Sequence, residues 1–425
     1  MSNHHPIYFV HGVLGWGPQE KGFGQYWGEA HSVKDEKYPQ QKGAKKVDCP
    51  IKFASVGPVS SHWDRARELF YQIKGGDCDY GENHAEEHHH KQELEDWEKA
   101  NRADLQYRDW DEEHPVHLVG HSQGAVTIRL LEWMLDNQRF SGFKTSAKWI
   151  KSVTSISGVL NGSTLPYASL GADPETGLLR KLPLFASGPF LGLSTGLHAV
   201  SQMDQAWSIL WKSLNLESGY NWDLDQWELK RRNYILFGEP FWVFFWRILN
   251  HDFLYSEDNA AYSLSVHGTV KLNERLKTYK DTYYFSYVTQ QTQKAEHHGY
   301  HVPHQNMLFL MKKFAWEMGR FDKSLAGVEG FNPKDWWAND GAVPVISQTY
   351  PFLPLKDAHK HPHTEISSDW PKDDPIKKGQ WYVMKEPFNE WDHLDVVMFH
   401  ENESRRNSQY CFYENLIRKL WELPD

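Results

Sequence analysis

The chain has 425 residues, with 46 Lys and Arg against 56 Asp and Glu, and a formal net charge of -10 at pH 7 with its 24 His neutral. Hydrophobic residues make up 40% and aromatics 15%, so a mean hydropathy of -0.68 reflects a polar surface around a large core and excludes a disordered chain. The absence of a basic stripe argues against a nucleic-acid partner, and three cysteines without CxxC spacing, Cys49, Cys78 and Cys411, exclude a disulfide framework.

At this length the chain holds one large domain with insertions or two ordinary ones. It starts Met1-Ser-Asn-His-His-Pro6 and runs straight into Ile7 to Val10, with no basic start, long apolar stretch or small-residue cleavage site. A cytoplasmic protein is expected if the chain is complete, and a secreted one if its N-terminus was trimmed. Short apolar, β-branched or aromatic runs recur at Ile7 to Val10, Ile51 to Val56, Val116 to Val119, Ser152 to Ile156, Thr282 to Tyr287 and Trp381 to Met384. Helical patterns lie between several of them, which predicts an α/β fold whose central sheet is mostly parallel, with helices on both faces.

The acidic, His-rich stretch Asp77 to Glu113 has few apolar residues and reads as solvent-facing loop and helix. Between Leu165 and Leu254 the pattern changes. Leu193, Leu197, Val200, Met203, Trp207, Leu210, Trp211 and Leu214 recur at threes and fours and draw one apolar helical stripe. The run Pro240 to Leu249 is too short to span a bilayer and contains Arg247. Both segments fit either a buried or subunit-facing helix or an apolar cap.

Chemistry enters at Pro115-Val-His-Leu-Val-Gly-His-Ser-Gln-Gly124. A buried strand ends in Gly-x-Ser-x-Gly, and Ala125 to Leu135 follow as a largely apolar helix. That context turns an ordinary pentapeptide into a nucleophile elbow with Ser122 at its tip, where Gly120 and Gly124 leave room that side chains would fill. A serine hydroxyl needs a base to take its proton and an acid to hold that base, and in this topology the order is Ser, acid, His. Asp340 in Asn339-Asp-Gly341 and His393 in Trp391-Asp-His-Leu394 satisfy the order. His359, His361, His363 and His400 compete as bases, and Asp392 and Asp395 as orienting acids. An oxyanion hole needs two backbone N–H donors. Gln123, directly after the nucleophile, supplies one, and Val13 in the loop Val10-His-Gly-Val-Leu-Gly15 supplies the other.

Several separated segments then converge: His11-Gly-Val-Leu-Gly-Trp-Gly17, Val56 to Arg65, Asp79 to His84, Gly120 to Gly124, Leu224-Asp-Gln-Trp227, Tyr262-Ser-Leu-Ser265, Asn339 to Gly341 and Trp391 to Leu394. In this order and over nearly the whole chain, they resemble the large zinc-containing bacterial lipases of the bacillar and staphylococcal type, α/β-hydrolases acting on triacylglycerols. The resemblance implies a single α/β-hydrolase domain over residues 1–425, with a zinc-module insertion at 60–110 and a lid insertion at 165–255. It assigns Ser122, Asp340 and His393 as the triad and Val13 and Gln123 as the oxyanion donors. The family position of Val13 is usually aromatic, and that of Gly120 often Ala.

The resemblance also implies a structural zinc on Asp64, His84, His90 and Asp225. On a regular helix His84 and His88 would share a face, so His88 competes with His90. For calcium, Asp395 matches one family ligand, whereas the later Asp-Pro of that site falls on His400 and Glu401, which argues against a complete shell. The expected activity is triacylglycerol or other carboxylic-ester hydrolysis by a serine hydrolase, with lipid or ester substrate met at an oil–water or membrane interface. The alternatives are an esterase or phospholipase using the same triad, and a non-catalytic protein of this fold. Neither oligomeric state nor acyl-chain preference is legible.

Overall fold

The computed structural model describes residues 3–18, 25–37, 50–94, 104–180, 224–229, 247–248, 250–296, 299–366, 370, 375–384, 388, 390–398, 400 and 402–424. In chain order these form β1 (Ile7–Val10), α1 (Glu29–Lys37), β2 (Ile51–Ala54), α2 (His62–Lys74), β3 (Cys78–Asp79), α3 (Glu82–His88), β4 (Glu93–Leu94), β5 (Val116–His121), α4 (Gln123–Asp136), β6 (Ile150–Ile156) and α5 (Leu165–Ser169). There follow α6 (Ala260–Leu264), α7 (Val266–Asn273), β7 (Tyr283–Tyr287), β8 (Thr292–Lys294), β9 (His301–Pro303), α8 (Phe309–Met318), α9 (Val345–Thr349), β10 (His363–Ile366), β11 (Trp381–Met384) and α10 (Glu403–Glu422).

Seven strands make one sheet in the order β10-β11-β7-β6-β5-β1-β2, and every neighbouring pair is parallel. The expected α/β-hydrolase-type fold with a parallel central sheet is thus present. All residues of β1, β5, β6 and β7 are buried, as strands covered on both faces must be. Alternation along β1 divides the core. Ile7 and Phe9 point into a layer with Trp27, Tyr413, Leu416 and Leu420 of the α1 and α10 side, whereas Tyr8 and Val10 join Leu69 and Phe70 of α2 and Ile128 and Leu131 of α4.

From β1 the strand order runs one way to β2 and the other way through β5, so the carboxyl ends of β1 and β5 flank a topological switch point, where α/β sheets place their sites. The strand β10 went unpredicted. Its sequence, His363-Thr-Glu-Ile366, is mostly exposed at the sheet edge and has almost no apolar signal. The acidic stretch after Asp77 forms α3 and the hairpin β3–β4, paired Cys78 with Leu94 and Asp79 with Glu93. The apolar stripe from Leu193 to Leu214 and most of the Pro240 to Leu249 run lie outside the described residues. Among the described residues no helix is long and apolar enough to cross a membrane.

Candidate active site

Strand β5 delivers Ser122 at the tip of the sheet, and α4 begins at the next residue. Ser122 has φ 56° and ψ -121°, a region L-residues avoid at a cost of about 1–3 kcal/mol. The turn is held by its neighbours. Ser122 N–H donates to the Ile156 carbonyl at 3.0 Å, and Ala125 N–H to the Ser122 carbonyl at 3.2 Å. A Cβ on Gly120 would collide with the backbone of Gly124 and Ala125, and one on Gly124 with the Val10 carbonyl. Alanine, which the family often has at the first of these positions, does not fit this turn.

The loop leaving β1 lies directly against the serine, because a Cβ on Gly12 would sit 2.7 Å from Ser122 Cβ and 3.2 Å from its Oγ. No described hydrogen bond uses the backbone N–H of Val13 or of Gln123. Arg65 of α2 anchors this loop, donating to the carbonyls of His11 and, at 2.7 Å, Gly57. Burial and the Arg65 charge push the His11 imidazole down to about 3, and it accepts from Val56 N–H at 3.1 Å.

The structure brings Asp340 and His393 together. His393 Nδ1–H donates to Asp340 Oδ2 at 2.9 Å, and His393 N–H to the Asp340 carbonyl at 2.9 Å. The same Oδ2 accepts from Thr289 Oγ1 at 2.7 Å and Gln348 Nε2 at 3.1 Å, while Oδ1 accepts the N–H groups of Ala342 and Val343 at 2.9 and 2.8 Å. Five donors thus converge on one fully buried carboxylate and leave it a single orientation. The residue beside the serine, His121, reaches His393: its Nε2 lies 3.0 Å from the His393 carbonyl, with ring centroids 4.6 Å apart.

The competing histidines are engaged elsewhere. His359 is bonded to the Lys356 carbonyl, His361 to Thr278 Oγ1, His363 stacks on Tyr350, and His400 is bonded to the Asp395 carbonyl. Asp392 receives the N–H groups of Leu308, Leu394 and Asp395 and so shapes the loop around His393 rather than orienting its ring. Burial, then the Asp395 charge, raise the Asp392 carboxyl to about 7. Asp395 itself is paired with Arg405 at 3.5 Å, and His400 Nε2 lies 3.8 Å from its carboxylate.

A second cluster lies on the α2 side. Asp64, His84, His90 and Asp258 bring one ligand atom each within 4.8 Å of one another, and among the described residues they are the one group of three or more that could hold a metal ion. Asp258 therefore takes the place expected for Asp225. Residue 225 starts a 3₁₀ turn that points its neighbour inward instead: Gln226 Nε2 donates to Asp64 Oδ2 at 2.9 Å. Asp258 directly precedes α6, whose cap is Asn259 Oδ1 accepting from Tyr262 N–H. An acid just ahead of the Tyr262-Ser-Leu-Ser265 segment was the signal available in the chain.

The choice between His88 and His90 follows from how α3 ends. His89 adopts a left-handed conformation, φ 58° and ψ 43°, and His90 N–H folds back to the Ala85 carbonyl at 3.1 Å. This reversal sets His90 beside His84, with centroids 5.2 Å apart. His88 stays on the helix, beside His84 at 4.5 Å but outside the group. His84 Nε2 lies 3.1 Å from Asp64 Oδ1 and 3.2 Å from Asp258 Oδ1, and His90 Nε2 3.5 Å from Asp258 Oδ2. Burial works against a charged His84, yet its hydrogen bonds to the Asp258 and Asp64 carboxylates and their charges outweigh it and hold the imidazole up at about 9. His90 Nε2 is buried without a hydrogen-bond partner. Two imidazoles and two carboxylates around one point, one nitrogen orphaned, form a donor set that fits a tetrahedral divalent ion such as zinc.

The chain and its fold resemble known proteins. Lipase 2 of Staphylococcus aureus (strain MRSA252) is 29% identical over 439 residues, an alignment covering 98% of this chain and 54% of that protein. The chain spans about half the length of the curated relatives it matches. EstA from Clostridium botulinum matches the structure with a TM-score of 0.69 at 28% identity, covering 98% of this chain and 87% of that one. Lipase 1 from Pelosinus fermentans matches with a TM-score of 0.70 at 25% identity over 100% of both chains. A family model described as "Lipase-like, C-terminal domain" matches residues 3–163 and 199–423. The chain belongs to that lipase-like family.

Proposed function

We propose that this chain hydrolyses carboxylic esters, with water-insoluble acylglycerols as its substrate class, through a covalent acyl-enzyme on Ser122. The observation that carries the reading is the His393 Nδ1–Asp340 Oδ2 bond at 2.9 Å, joined through His121 to the strained elbow that presents Ser122. With Nδ1 committed to Asp340, the ring's other nitrogen is left to accept the serine proton. Ser122 Oγ attacks the ester carbonyl while His393 takes its proton, and the oxyanion meets the N–H groups of Val13 and Gln123. His393 then protonates the leaving alcohol, and water, deprotonated by the same ring, releases the acid.

Asp64, His84, His90 and Asp258 would hold a zinc ion whose contribution is a structural cross-link between α2, the end of α3 and the segment before α6. Four protein ligands leave no open position for a reacting water. The lipid preference rests on the relatives' names as lipases and on the apolar stripe of the sequence between Leu193 and Leu214.

Emulsified long-chain triacylglycerol compared with short-chain p-nitrophenyl esters, each with and without detergent, tests the reading. Turnover of the emulsion that vanishes in Ser122→Ala is expected. Turnover of the short soluble esters alone would reassign the substrate class, and activity retained in Ser122→Ala would overturn the mechanism.

A further inference from the structure

Two side chains that take no part in the reaction just described, Tyr26 and His121, tie the two halves of the site together. Tyr26 follows the β1-exit loop and is buried, and its hydroxyl accepts the Gly12 N–H at 2.9 Å. The same oxygen lies 2.7 Å from His121 Nδ1, and His121 Nε2 lies 3.0 Å from the His393 carbonyl. With His121 neutral, only one assignment of protons satisfies all three contacts. A carbonyl can only accept, so His121 Nε2 carries a proton and donates it. The hydroxyl accepts from Gly12, and its one O–H is donated to His121 Nδ1, which must be unprotonated. Burial, then the charge of His393, hold the His121 pKa well below the usual imidazole range, which keeps that neutral tautomer.

We propose that Tyr26 and His121 are positioning residues that lock the oxyanion loop to the backbone of the base. The inference rests on the ester-hydrolase reading. Gly12 N–H is committed to Tyr26, so the loop offers its next amide, that of Val13, to the oxyanion. The base is held from two sides, its ring by Asp340 and its carbonyl by His121. Motion of the loop is thereby coupled to motion of His393. Around the relay the rings pack edge to face, Tyr26 against His11, Trp16, Trp27 and His121, which leaves the phenol little freedom to find another partner.

The test is Tyr26→Phe, which deletes one oxygen and so both hydrogen bonds, assayed on a p-nitrophenyl ester and on its thiono analogue. Sulfur is a poorer hydrogen-bond acceptor than oxygen, so an intact oxyanion hole favours the oxo ester, and the oxo-to-thiono rate ratio reads the hole itself. Tyr26→Phe is expected to lower kcat on the oxo ester about 10- to 100-fold with KM within about twofold, and to shrink the oxo-to-thiono ratio. An unchanged kcat, or a fall in kcat with the ratio unmoved, overturns the positioning role. Should Tyr26→Phe fail to fold, His121→Gln and His121→Leu decide it. Glutamine keeps a donor near the Nε2 position and is expected to retain at least about fivefold more kcat than leucine, whereas equal losses overturn the proposal. Failure of the wild-type protein to cleave either ester, or cleavage unaffected by Ser122→Ala, would instead strike the hydrolase reading.

Discussion

The proposed triad and the candidate metal cluster both gather residues from distant parts of the chain, but they are built on different foundations. Ser122, Asp340 and His393 follow β5, the β7-side loops and β11, and all lie where a parallel sheet presents its strand ends. The cluster draws Asp64 from the first turn of α2, His84 and His90 from the short α3 and the residues after it, and Asp258 from the approach to α6. A sheet dictates the positions of its strand ends, whereas loops and short helices place their side chains through local turns that need not follow a period.

That difference predicts where each site breaks. The largest effect should come from the proposed triad: Asp340→Asn should lower kcat by on the order of 10⁴-fold with a smaller effect on Tm, because the N–H groups of Ala342 and Val343 can still meet the amide oxygen and the Thr289 hydroxyl can turn to Gln348 Oε1. Activity within tenfold of wild type would remove Asp340 from the mechanism. Next comes the elbow. Gly124→Ala, whose Cβ meets the Val10 carbonyl, should disrupt the β1–β5 switch point and lower both soluble yield and activity by at least about tenfold, and a well-folded active variant would mean that the turn can open.

The cluster should respond the other way, in stability before chemistry. Asp258→Asn should lose zinc by metal analysis and drop Tm by on the order of 5–10 °C, and a chelator should do the same to the wild type. Asp225→Asn should keep the metal. The reverse pattern would restore the expectation taken from the family resemblance. The smallest effect belongs to a buried group remote from both sites. Glu132, met by the Tyr284 hydroxyl at 2.8 and 2.9 Å, is raised to about 8, chiefly by burial. Its folded pKa lies above the ordinary glutamate value, so its contribution is complete below about 4.5 and is lost as pH rises toward about 8. Tm should fall across that window less steeply in Glu132→Gln than in the wild type, and parallel curves would exclude Glu132 as the source.

What could be read from the chain follows the same division. Apolar runs foretold β1, β2, β5, β6, β7 and β11; chain order left Asp340 and His393 among several candidates that the family resemblance narrowed, and the two are hydrogen-bonded to each other. The edge strand β10 escaped because polar residues on a solvent-facing edge show no hydrophobic pattern. His90 could not be chosen over His88 by helical period, since the left-handed His89 breaks that period between them. The matching segment Leu224-Asp-Gln-Trp227 points to Asp225, although the turn there aims Gln226 at the cluster. The Tyr26–His121 relay had no sequence signal, as its meaning lies in proton assignments that only the contacts reveal.

The central claim, that Ser122 is the nucleophile of an ester hydrolase, is met most directly by trapping. Incubation of the full chain with a p-nitrophenyl alkylphosphonate, followed by peptide mass spectrometry, should show one covalent phosphonyl group on Ser122 and matched loss of esterase activity. The same treatment of Ser122→Ala should leave the protein unmodified. Stoichiometric labelling of any other residue, or inactivation without modification of Ser122, would contradict the account.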